Sequence, residues 1–222
     1  MRYTKANVFA FMYRKYKPSE TRMSHYFIKD DSLKDDIQNF SFYYHSHKFT
    51  FTSNSGMFSP GHVDEATVLL LGYIPPLSGR VLDLGCGYGV VGIAIAKLYD
   101  GVEVVMSDIN ERALRYAEIN VKQNSVRATT LLSDSFENIG GTFDAIILNP
   151  PIHAGKETMY RMYANSHEKL NNNGVLYIVM QKKHGAESSL KKLTEIFGNG
   201  NTLYKKKGFY VFSYKKKSAS DS

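Results

Sequence analysis

The residues best suited to bind a ligand form a glycine-rich turn. The chain there reads Val81-Leu82-Asp83-Leu84-Gly85-Cys86-Gly87-Tyr88-Gly89, in which an apolar run typical of a buried strand leads into the turn. The glycines at alternate positions, Gly85, Gly87 and Gly89, let the backbone bend sharply and let a ligand approach main-chain atoms that a Cβ would block. The pattern predicts a binding turn between a strand and a helix.

Two acidic residues accompany this turn. Asp83 lies in the predicted strand just before the glycines, and Asp108, followed by Ile109, ends the next predicted strand. Parallel strands end at the same edge of a sheet, and an acid at the end of the second strand can accept hydrogen bonds from both hydroxyls of a ribose. The arrangement predicts an adenosine-containing ligand. Capping of the following helix is the alternative role of Asp108.

The charge of Asp83 bears on the kind of ligand. Gly87, Gly89 and Gly92, with Asp108 about 20 residues on, also satisfy the dinucleotide-binding fingerprint. A carboxylate fixed at Asp83 would repel a pyrophosphate, but it would attract the ammonium and sulfonium groups of S-adenosylmethionine. The charge therefore favours S-adenosylmethionine as the cofactor, and a nicotinamide dinucleotide stays open as the alternative.

A rigid corner of asparagine and two prolines ends a later strand. Asn149 is followed by Pro150 and Pro151, which remove two backbone donors and fix φ, so the carbonyls of Asn149 and Pro150 can be held pointing away from the sheet. Such a carbonyl and the Asn149 side-chain oxygen can accept both hydrogens of a planar exocyclic amine, which aims the nitrogen lone pair at a methyl sulfonium. These three residues are predicted to be catalytic, and a simple strand-ending turn is the alternative.

Strands and helices alternate along most of the chain and must position these residues. Strands are predicted at 80–84, 102–107, 128–133, 143–148 and 175–181, followed by two aromatic strands around Gly208, and helices at 90–99, 111–123, 157–170 and 186–197. This alternation predicts an α/β fold with a doubly wound, mostly parallel sheet and helices on both faces. The roughly nine residues between the third and fourth strands are too few for a crossover helix of about a dozen.

Two smaller elements precede this core. From Asn39 to Thr52, aromatic residues alternate on both sides of a turn predicted at 45–48, which indicates a β-hairpin flap. Residues 62–72 have the spacing of an amphipathic helix. The aromatic side chains of the hairpin are expected in the core, with base stacking as the alternative. His45 and His47 have no third ligand nearby, so no metal site is predicted.

Composition limits the class of protein. The 222 residues suffice for one ordinary α/β domain, and 43% hydrophobic with 22% charged residues is typical of a globular chain. No apolar run approaches the roughly 18 residues of a membrane helix, and the single cysteine, Cys86, excludes an internal disulfide. A cytoplasmic protein with no membrane partner is predicted. The formal net charge is +7, but residues 1–22 and 205–222 each carry +5, so the body between them is mildly acidic.

The glycine turn, Asp108 and the corner at Asn149 together resemble the class I S-adenosylmethionine-dependent methyltransferases, specifically the small-domain family that contains ribosomal RNA guanine-N2 methyltransferases. The resemblance covers about Met23 to Lys217. It implies a Rossmann-like sheet of seven strands with the last strand antiparallel. It also implies amine positioning by Asn149 and Pro150, and donor contacts from the glycine turn, Asp108, Ile109, Asp134, Ser135 and Asn149.

Residues near the catalytic corner are assigned to substrate binding. Ile152 and His153 follow the corner, and Lys182 and Lys183 follow the fifth strand of the core, where lysines can hold phosphate. A hydrogen bond within its own loop is the alternative for His153, and a solvated surface is the alternative for the two lysines. Family members that act on adenine or glutamine usually carry an aromatic residue at the position of Ile152, so this chain is less suited to adenine. The stretch 64–67 also departs from the family pattern and is given no donor contact.

The sequence therefore predicts an S-adenosylmethionine-dependent N-methyltransferase that acts on an exocyclic amine of RNA, with guanine N2 of ribosomal RNA as the favoured target. The predicted partner is ribosomal RNA or a ribosomal particle. The alternatives are a protein-glutamine or small-molecule amine methyltransferase, and a non-catalytic RNA-binding protein that retains the donor pocket. Residues 1–22 are predicted to be a disordered or non-native extension, 23–217 a single methyltransferase domain with a hairpin and helix at 39–72 and a catalytic core at 79–217, and 218–222 a tail. No oligomeric state is predicted.

Overall fold

The computed structural model describes residues 36–151, 155–198 and 200–218. The strands in these ranges are β1 (Ile37–Tyr44), β2 (His47–Asn54), β3 (Arg80–Leu84), β4 (Glu103–Asp108), β5 (Thr129–Leu132), β6 (Phe143–Leu148), β7 (Leu170–Gln181), β8 (Gly200–Lys206) and β9 (Phe209–Lys215). The helices are α1 (Glu65–Tyr73), α2 (Val90–Leu98), α3 (Glu111–Gln123), α4 (Gly155–Lys169) and α5 (Ala186–Phe197), and a 3-10 turn spans Lys182–His184. The predicted extension at 1–22 lies outside the described residues.

Seven strands form one sheet in the order β5-β4-β3-β6-β7-β9-β8. The strands β3 to β7 run parallel, and β9 is antiparallel to both of its neighbours, β7 and β8. This order confirms the Rossmann-like, mostly parallel sheet with an antiparallel last strand. The chain winds outward in both directions from β3 and β6, so the connections that follow these strands diverge and open a crevice at their carboxyl ends.

The sheet is covered on both faces because its central strands are apolar on both sides. In β3, Val81 and Leu82 are both fully buried but belong to different core clusters. One face packs against α1, α2, α3 and the β1–β2 hairpin, and the other packs against α4 and α5. The connection between β5 and β6 contains turns and no helix, as predicted, and Phe136 and Ile139 are buried there.

The β1–β2 hairpin turns over two residues. His45 and Ser46 have φ values of 47° and 65°, and Tyr44 pairs with His47 across the strands. The four-residue turn predicted at 45–48 is therefore wrong, since β2 already begins at His47. Two successive positive φ angles define a turn that favours Asn-Gly, and neither residue here is glycine. The backbone of this turn is strained as a result.

Two asparagines on α3 join the hairpin to the core. Asn120 Oδ1 accepts from Thr52 N at 2.7 Å, and Asn120 Nδ2 donates to Thr52 O at 3.0 Å. One helical turn later, Asn124 makes the same pair of bonds with the backbone of Thr50, at 3.0 and 2.7 Å. The two amides take the place of a neighbouring strand and satisfy the backbone groups of β2. The hairpin is fixed in this way, and its Phe49 is fully buried in the core, as expected.

The helix α1 differs from the amphipathic helix predicted at 62–72. It spans Glu65–Tyr73, and its N-cap, Asp64, accepts a hydrogen bond from Thr67 N. None of its nine residues is exposed, because the helix packs over β7 and β9 and also contacts α2. The expectation of a solvated polar face was wrong, since neighbouring elements bury the small and hydroxyl-bearing residues of this helix together with its leucines.

Replacing Ser46 by glycine is expected to stabilise the fold by about 0.5–1 kcal/mol, because glycine adopts a φ near 65° without the cost that a Cβ imposes. The free energy of unfolding in urea measures the change. Ser41→Gly, in the extended middle of β1, is the matched control and should destabilise the protein by a similar amount. Effects of equal sign for the two substitutions would contradict the strained turn.

Candidate active site

The carboxyl ends of four neighbouring strands bring the predicted site residues to one edge of the sheet. Leu84 of β3 lies opposite Leu148 of β6 on one side and Ser107 of β4 on the other. Asp108 at the end of β4 lies opposite Leu132 of β5. The segment after β5, Asp108, the glycine turn and the Asn-Pro-Pro corner therefore follow one another along this edge, around the crevice between β3 and β6.

The glycine turn exposes its main chain to open space. Gly85, Gly87 and Gly89 have φ values of 73°, 56° and 93°. Gly85 N and Cys86 N donate to Ser107 O at 2.8 and 2.9 Å, which fixes the start of the turn to the end of β4. A Cβ at Gly85 or Gly87 would meet no protein atom within 4 Å. The backbone conformation requires glycine here, and the space above the turn is left for a ligand.

Asp83 is buried beneath the turn, with 3% of its surface exposed. Its Oδ2 accepts from Gly92 N at 2.8 Å. A Cβ at Gly92 would come within 2.5 Å of the Met106 side chain, so glycine allows this close approach. Burial raises the pKa of Asp83 to about 7, while the hydrogen bond from Gly92 opposes the increase and the charge of Asp108 adds to it. A cation in the crevice would favour the charged form of Asp83.

Asp108 holds the same turn from the next strand. Its Oδ2 accepts from Gly87 N at 2.8 Å, and its Oδ1 accepts from Asn110 N at 2.9 Å. The alternative role of Asp108 as a helix cap is wrong, since Asn110 is the N-cap of α3 and accepts from Arg112 N at 3.0 Å. The carboxylate of Asp108 thus fixes the turn to the start of α3.

An apolar rim and a polar turn flank Asp108. Ile109 and Leu132 are 49% and 47% exposed and present an apolar surface beside Asp108, where β4 and β5 end. After β5, Asp134 is exposed and Ser135 has a φ of 49°. The hydroxyls of Ser107 and Ser135 are buried with no hydrogen-bond partner among the described residues. Buried polar groups are nearly always paired in folded proteins, so these two hydroxyls are exceptions to the rule.

The N-terminus of α1 holds the side chain of Asn149. Asn149 Nδ2 donates to Thr67 Oγ1 at 3.1 Å, and Thr67 Oγ1 donates to Asp64 Oδ2 at 2.5 Å. Burial raises the pKa of Asp64, and the hydrogen bonds from Thr67 oppose the increase. Pro150 and Pro151 follow and are partly buried. Sequence reasoning missed Thr67, although Asp64 three residues before it has the spacing of a helix-capping motif.

The glycine turn is also tied to α3 and to the loop before α1. Asn120 Nδ2 donates to Tyr88 O at 2.8 Å, in addition to its bonds with Thr52. Tyr88 OH donates to His62 O at 2.8 Å. Sequence reasoning gave these residues no role, because an asparagine within a helix carries no local signal of its distant partners. One buried amide connects the turn, α3 and β2.

Lysines from two segments lie at the same edge of the sheet beyond β7. Lys182 and Lys183 begin the 3-10 turn after β7, and Lys182 N donates to Gly208 O in the β8–β9 turn at 2.7 Å. Residues 205–207, treated in the sequence as part of a basic terminal segment, therefore lie beside the pair predicted to bind substrate. The exposed set, named the lysine ridge here, consists of Lys182, Lys183, Lys205, Lys206 and Lys207. Ile152 and His153 lie outside the described residues.

The described residues also bear on metal binding, membrane insertion and thiol chemistry. Within the described residues, no three histidine, cysteine or acidic side chains lie close enough together to hold a metal ion. No helix in those same ranges has both the length and the apolar character needed to cross a membrane. Burial raises the pKa of the Cys86 thiol well above its usual range, and the charges of Asp83 and Asp108 add to the increase. The thiol therefore stays protonated and is a poor nucleophile.

The sheet order, the open glycine turn and the two buried acids are typical of the Rossmann-like methyltransferase fold, which binds nucleoside-containing ligands at this crevice. The family described as "Methyltransferase small domain" matches residues 48–213. Since this match covers well over half of the chain, the protein belongs to the methyltransferase small-domain family. The resemblance drawn from the glycine turn and the Asn-Pro-Pro corner is confirmed.

The similar proteins include one that matches over nearly its whole length and others that are about twice as long as the matching region. The chain is 40% identical over 197 residues to the uncharacterized protein YbxB of Bacillus subtilis, covering 86% of this chain and 98% of that one. It is 36% identical over 180 residues to ribosomal RNA small subunit methyltransferase C of Vibrio cholerae, covering 78% of this chain and 51% of that one. The chain thus spans about half the length of the curated ribosomal RNA methyltransferases it matches.

A solved structure is similar over most of the chain. The T. thermophilus 16S rRNA N2 G1207 methyltransferase, in complex with AdoMet and guanosine, matches with a TM-score of 0.72 and 29% sequence identity. The match covers 82% of this chain and 51% of that chain. The fold described above is therefore shared with a methyltransferase whose structure was solved in complex with AdoMet.

Asp83→Asn is expected to stabilise the protein more at pH 8 than at pH 5, by about 2–3 kcal/mol. The folded-state pKa of about 7 lies above the unfolded value of 3.8, so the carboxyl group stabilises the fold when protonated and loses this contribution as the pH rises from about 4 to 7. Asparagine keeps an acceptor for Gly92 N and has no charge to bury. Urea unfolding at the two pH values measures the difference.

The matched control is Asp100→Asn, which removes the same charge from an exposed position. This variant should keep the pH dependence of the wild-type unfolding free energy. An Asp83→Asn variant with that same pH dependence would show that Asp83 has no raised pKa.

Proposed function

We propose that this protein transfers a methyl group from S-adenosylmethionine to an exocyclic amine of RNA, and that guanine N2 of ribosomal RNA is its target. One observation carries the proposal: the glycine turn and the Asn149 corner leave neighbouring strands at the same level, with Leu84 opposite Leu148. A donor held by the turn and an amine held by the corner would meet in the crevice between β3 and β6. Alignment of two reactants supplies about 7–11 kcal/mol of such a barrier.

The residues at the glycine turn fit S-adenosylmethionine. Open space above Gly85 and Gly87 allows a ligand to approach the main chain closely. The buried carboxyl of Asp83 suits the ammonium group of the donor, and Asp108 at the end of β4 suits the ribose hydroxyls. The bound donor supplies an electrophilic methyl group on a sulfonium. The remaining donor contacts are assigned to Gly89, Ile109, Asp134, Ser135 and Asn149.

The Asn149 corner is suited to hold the amine. Thr67 engages Asn149 Nδ2, so the Oδ1 atom of the same amide can accept one amine hydrogen. The backbone carbonyl of Asn149 or Pro150 accepts the other, because Pro150 and Pro151 fix the backbone there. With both hydrogens bound, the nitrogen lone pair is drawn out of conjugation with the ring. The neutral amine would attack the methyl carbon as the carbon–sulfur bond of the donor breaks and S-adenosylhomocysteine leaves. The extra proton of the methylated amine would pass to water, so no strong base is needed.

Relatives and charge support RNA as the substrate. The Vibrio cholerae relative is named as a ribosomal RNA methyltransferase, and the T. thermophilus protein is named for N2 of a 16S rRNA guanine and was solved with guanosine. The lysine ridge places five exposed lysines at the edge of the sheet that carries Asn149. Lysine contacts to phosphates position RNA without reading its sequence. Ile152 and His153, outside the described residues, are assigned to the base.

Incubation with methyl-labelled donor and with separated RNA and protein fractions of a cell extract tests the acceptor class. Label is expected in RNA, and mass spectrometry of its nucleosides should identify N2-methylguanosine. Asn149→Ala should lower kcat by about 100-fold, since the amine loses its side-chain acceptor and its alignment. Donor affinity, measured by isothermal titration, should fall by no more than about twofold, because Asn149 supplies only one of the proposed donor contacts and the glycine turn and the two acids are intact.

Three results would change the proposal. Label in protein alone would overturn the RNA substrate in favour of a glutamine acceptor. Tight donor binding with no label in any fraction would favour a non-catalytic RNA-binding protein. Loss of donor affinity in Asn149→Ala would place this residue mainly in the donor site.

Substituting Lys205, Lys206 and Lys207 by glutamine is expected to weaken RNA binding and its dependence on salt. Each lost phosphate contact should reduce the slope of log K against log salt concentration by about 0.7–0.9. Fluorescence anisotropy of labelled RNA at several salt concentrations measures this slope. The lysine triplet 215–217 is the matched control, because the antiparallel β9 ends at the opposite edge of the sheet. Equal slopes for the two triple variants would contradict the lysine ridge as an RNA contact.

A further inference from the structure

A chain of hydrogen bonds runs from the start of α1 to the proposed catalytic amide. Asp64 accepts twice from Thr67, through Oδ1 from the backbone N–H at 3.1 Å and through Oδ2 from the hydroxyl at 2.5 Å. The same hydroxyl oxygen accepts from Asn149 Nδ2 at 3.1 Å. Thr67 is 5% exposed, so the central link of this chain is shielded from water.

The direction of the chain follows from the hydrogens that each group owns. Asp64 Oδ2 accepts from the Thr67 hydroxyl, and a threonine hydroxyl has a single hydrogen to donate. Since Thr67 gives that hydrogen to Asp64, its oxygen can only accept from Asn149. The amide nitrogen of Asn149 must therefore face Thr67, and the amide oxygen must face the other way.

We propose that Asp64 and Thr67, together named the relay here, are positioning residues. They fix the orientation of the Asn149 side-chain amide and so keep Oδ1 directed at the acceptor amine. This inference rests on the proposed function. Without the relay, the Thr67 hydroxyl can donate to Oδ1 of a rotated amide, which then presents its NH2 group to the acceptor. Two donors would face each other, and the amine would lose one of its two acceptors.

The relay and the helix cap can be separated by substitution. Asp64 is also the N-cap of α1 through Thr67 N, and asparagine is as good an N-cap as aspartate. Asp64→Asn therefore preserves the cap, but its new NH2 group can donate to the Thr67 hydroxyl and release that hydrogen toward Asn149. Thr67→Val keeps the backbone N–H and the side-chain shape and removes the hydroxyl altogether.

Steady-state kinetics of these variants test the relay. Both Asp64→Asn and Thr67→Val are expected to lower kcat by about 10- to 100-fold, with donor affinity within about twofold of the wild type and a similar melting temperature. Thr67→Ser keeps the hydroxyl that Thr67→Val removes, and its kcat should stay within about threefold of the wild type. The matched control is Thr130→Val, which removes another threonine hydroxyl bonded to a carboxylate, that of Glu118 at 3.0 Å, and should leave kcat unchanged.

A second measurement reads the relay without turnover. In NMR spectra of the full chain, one Nδ2 proton of Asn149 should be shifted downfield and slow to exchange, and Thr67→Val should abolish both effects. Failure of the wild type to methylate any amine would overturn the proposed function and leave the relay to be judged by these signals. An active wild type with an unchanged kcat in Thr67→Val, or unchanged Asn149 signals, would overturn the relay itself.

Discussion

One buried amide, that of Asn120, joins the parts on which the site depends. It bonds to both backbone groups of Thr52 and to Tyr88 O, so β2, α3 and the glycine turn are held in one arrangement. Each backbone group left unpaired in the core would cost about 1–3 kcal/mol. The helix that carries this amide begins beside Asp108, whose carboxylate bonds to Asn110 N and Gly87 N. The position of the acid at the crevice therefore depends on the anchoring of α3.

The same region keeps groups that are unfavourable without a ligand. Asp83 and Asp108 are each 3% exposed, and burial raises the pKa of Asp83 to about 7. The unpaired hydroxyls of Ser107 and Ser135 lie at the ends of the neighbouring strands. Groups with perturbed pKa values concentrate at functional sites, where a ligand of opposite charge can compensate for their burial. A cationic, hydroxyl-rich molecule matches this set of groups, and an anionic one does not.

The sheet and the main binding turn were predictable from sequence because their signals are local. The predicted bounds match the structure to the residue for the strands at 80–84 and 143–148 and for the helix at 111–123. Glycine or proline follows closely after each of these strands, and an N-cap residue precedes the helix. β7 begins at Leu170, five residues before the predicted start, because the asparagines at 171–173 are typical of a loop. The bond between Asn149 and Thr67 joins residues 82 positions apart, so no local pattern indicates it. Likewise, the segments 182–183 and 205–207 are distant in sequence, and the pairing of β7 with β9 brings their lysines together.

The apolar rim beside Asp108 should affect the heat-capacity change that accompanies ligand binding. Ile109 and Leu132 are about half exposed to water, at 49% and 47%. Covering apolar surface on binding lowers the heat capacity of the system, whereas covering polar surface raises it by a smaller amount per unit area. A purine ring seated on this rim would make the enthalpy of association more negative as the temperature rises. The temperature dependence of the binding enthalpy, measured by calorimetry, would thus report on burial of Ile109 and Leu132 separately from the contacts made by Asp83 and Asp108.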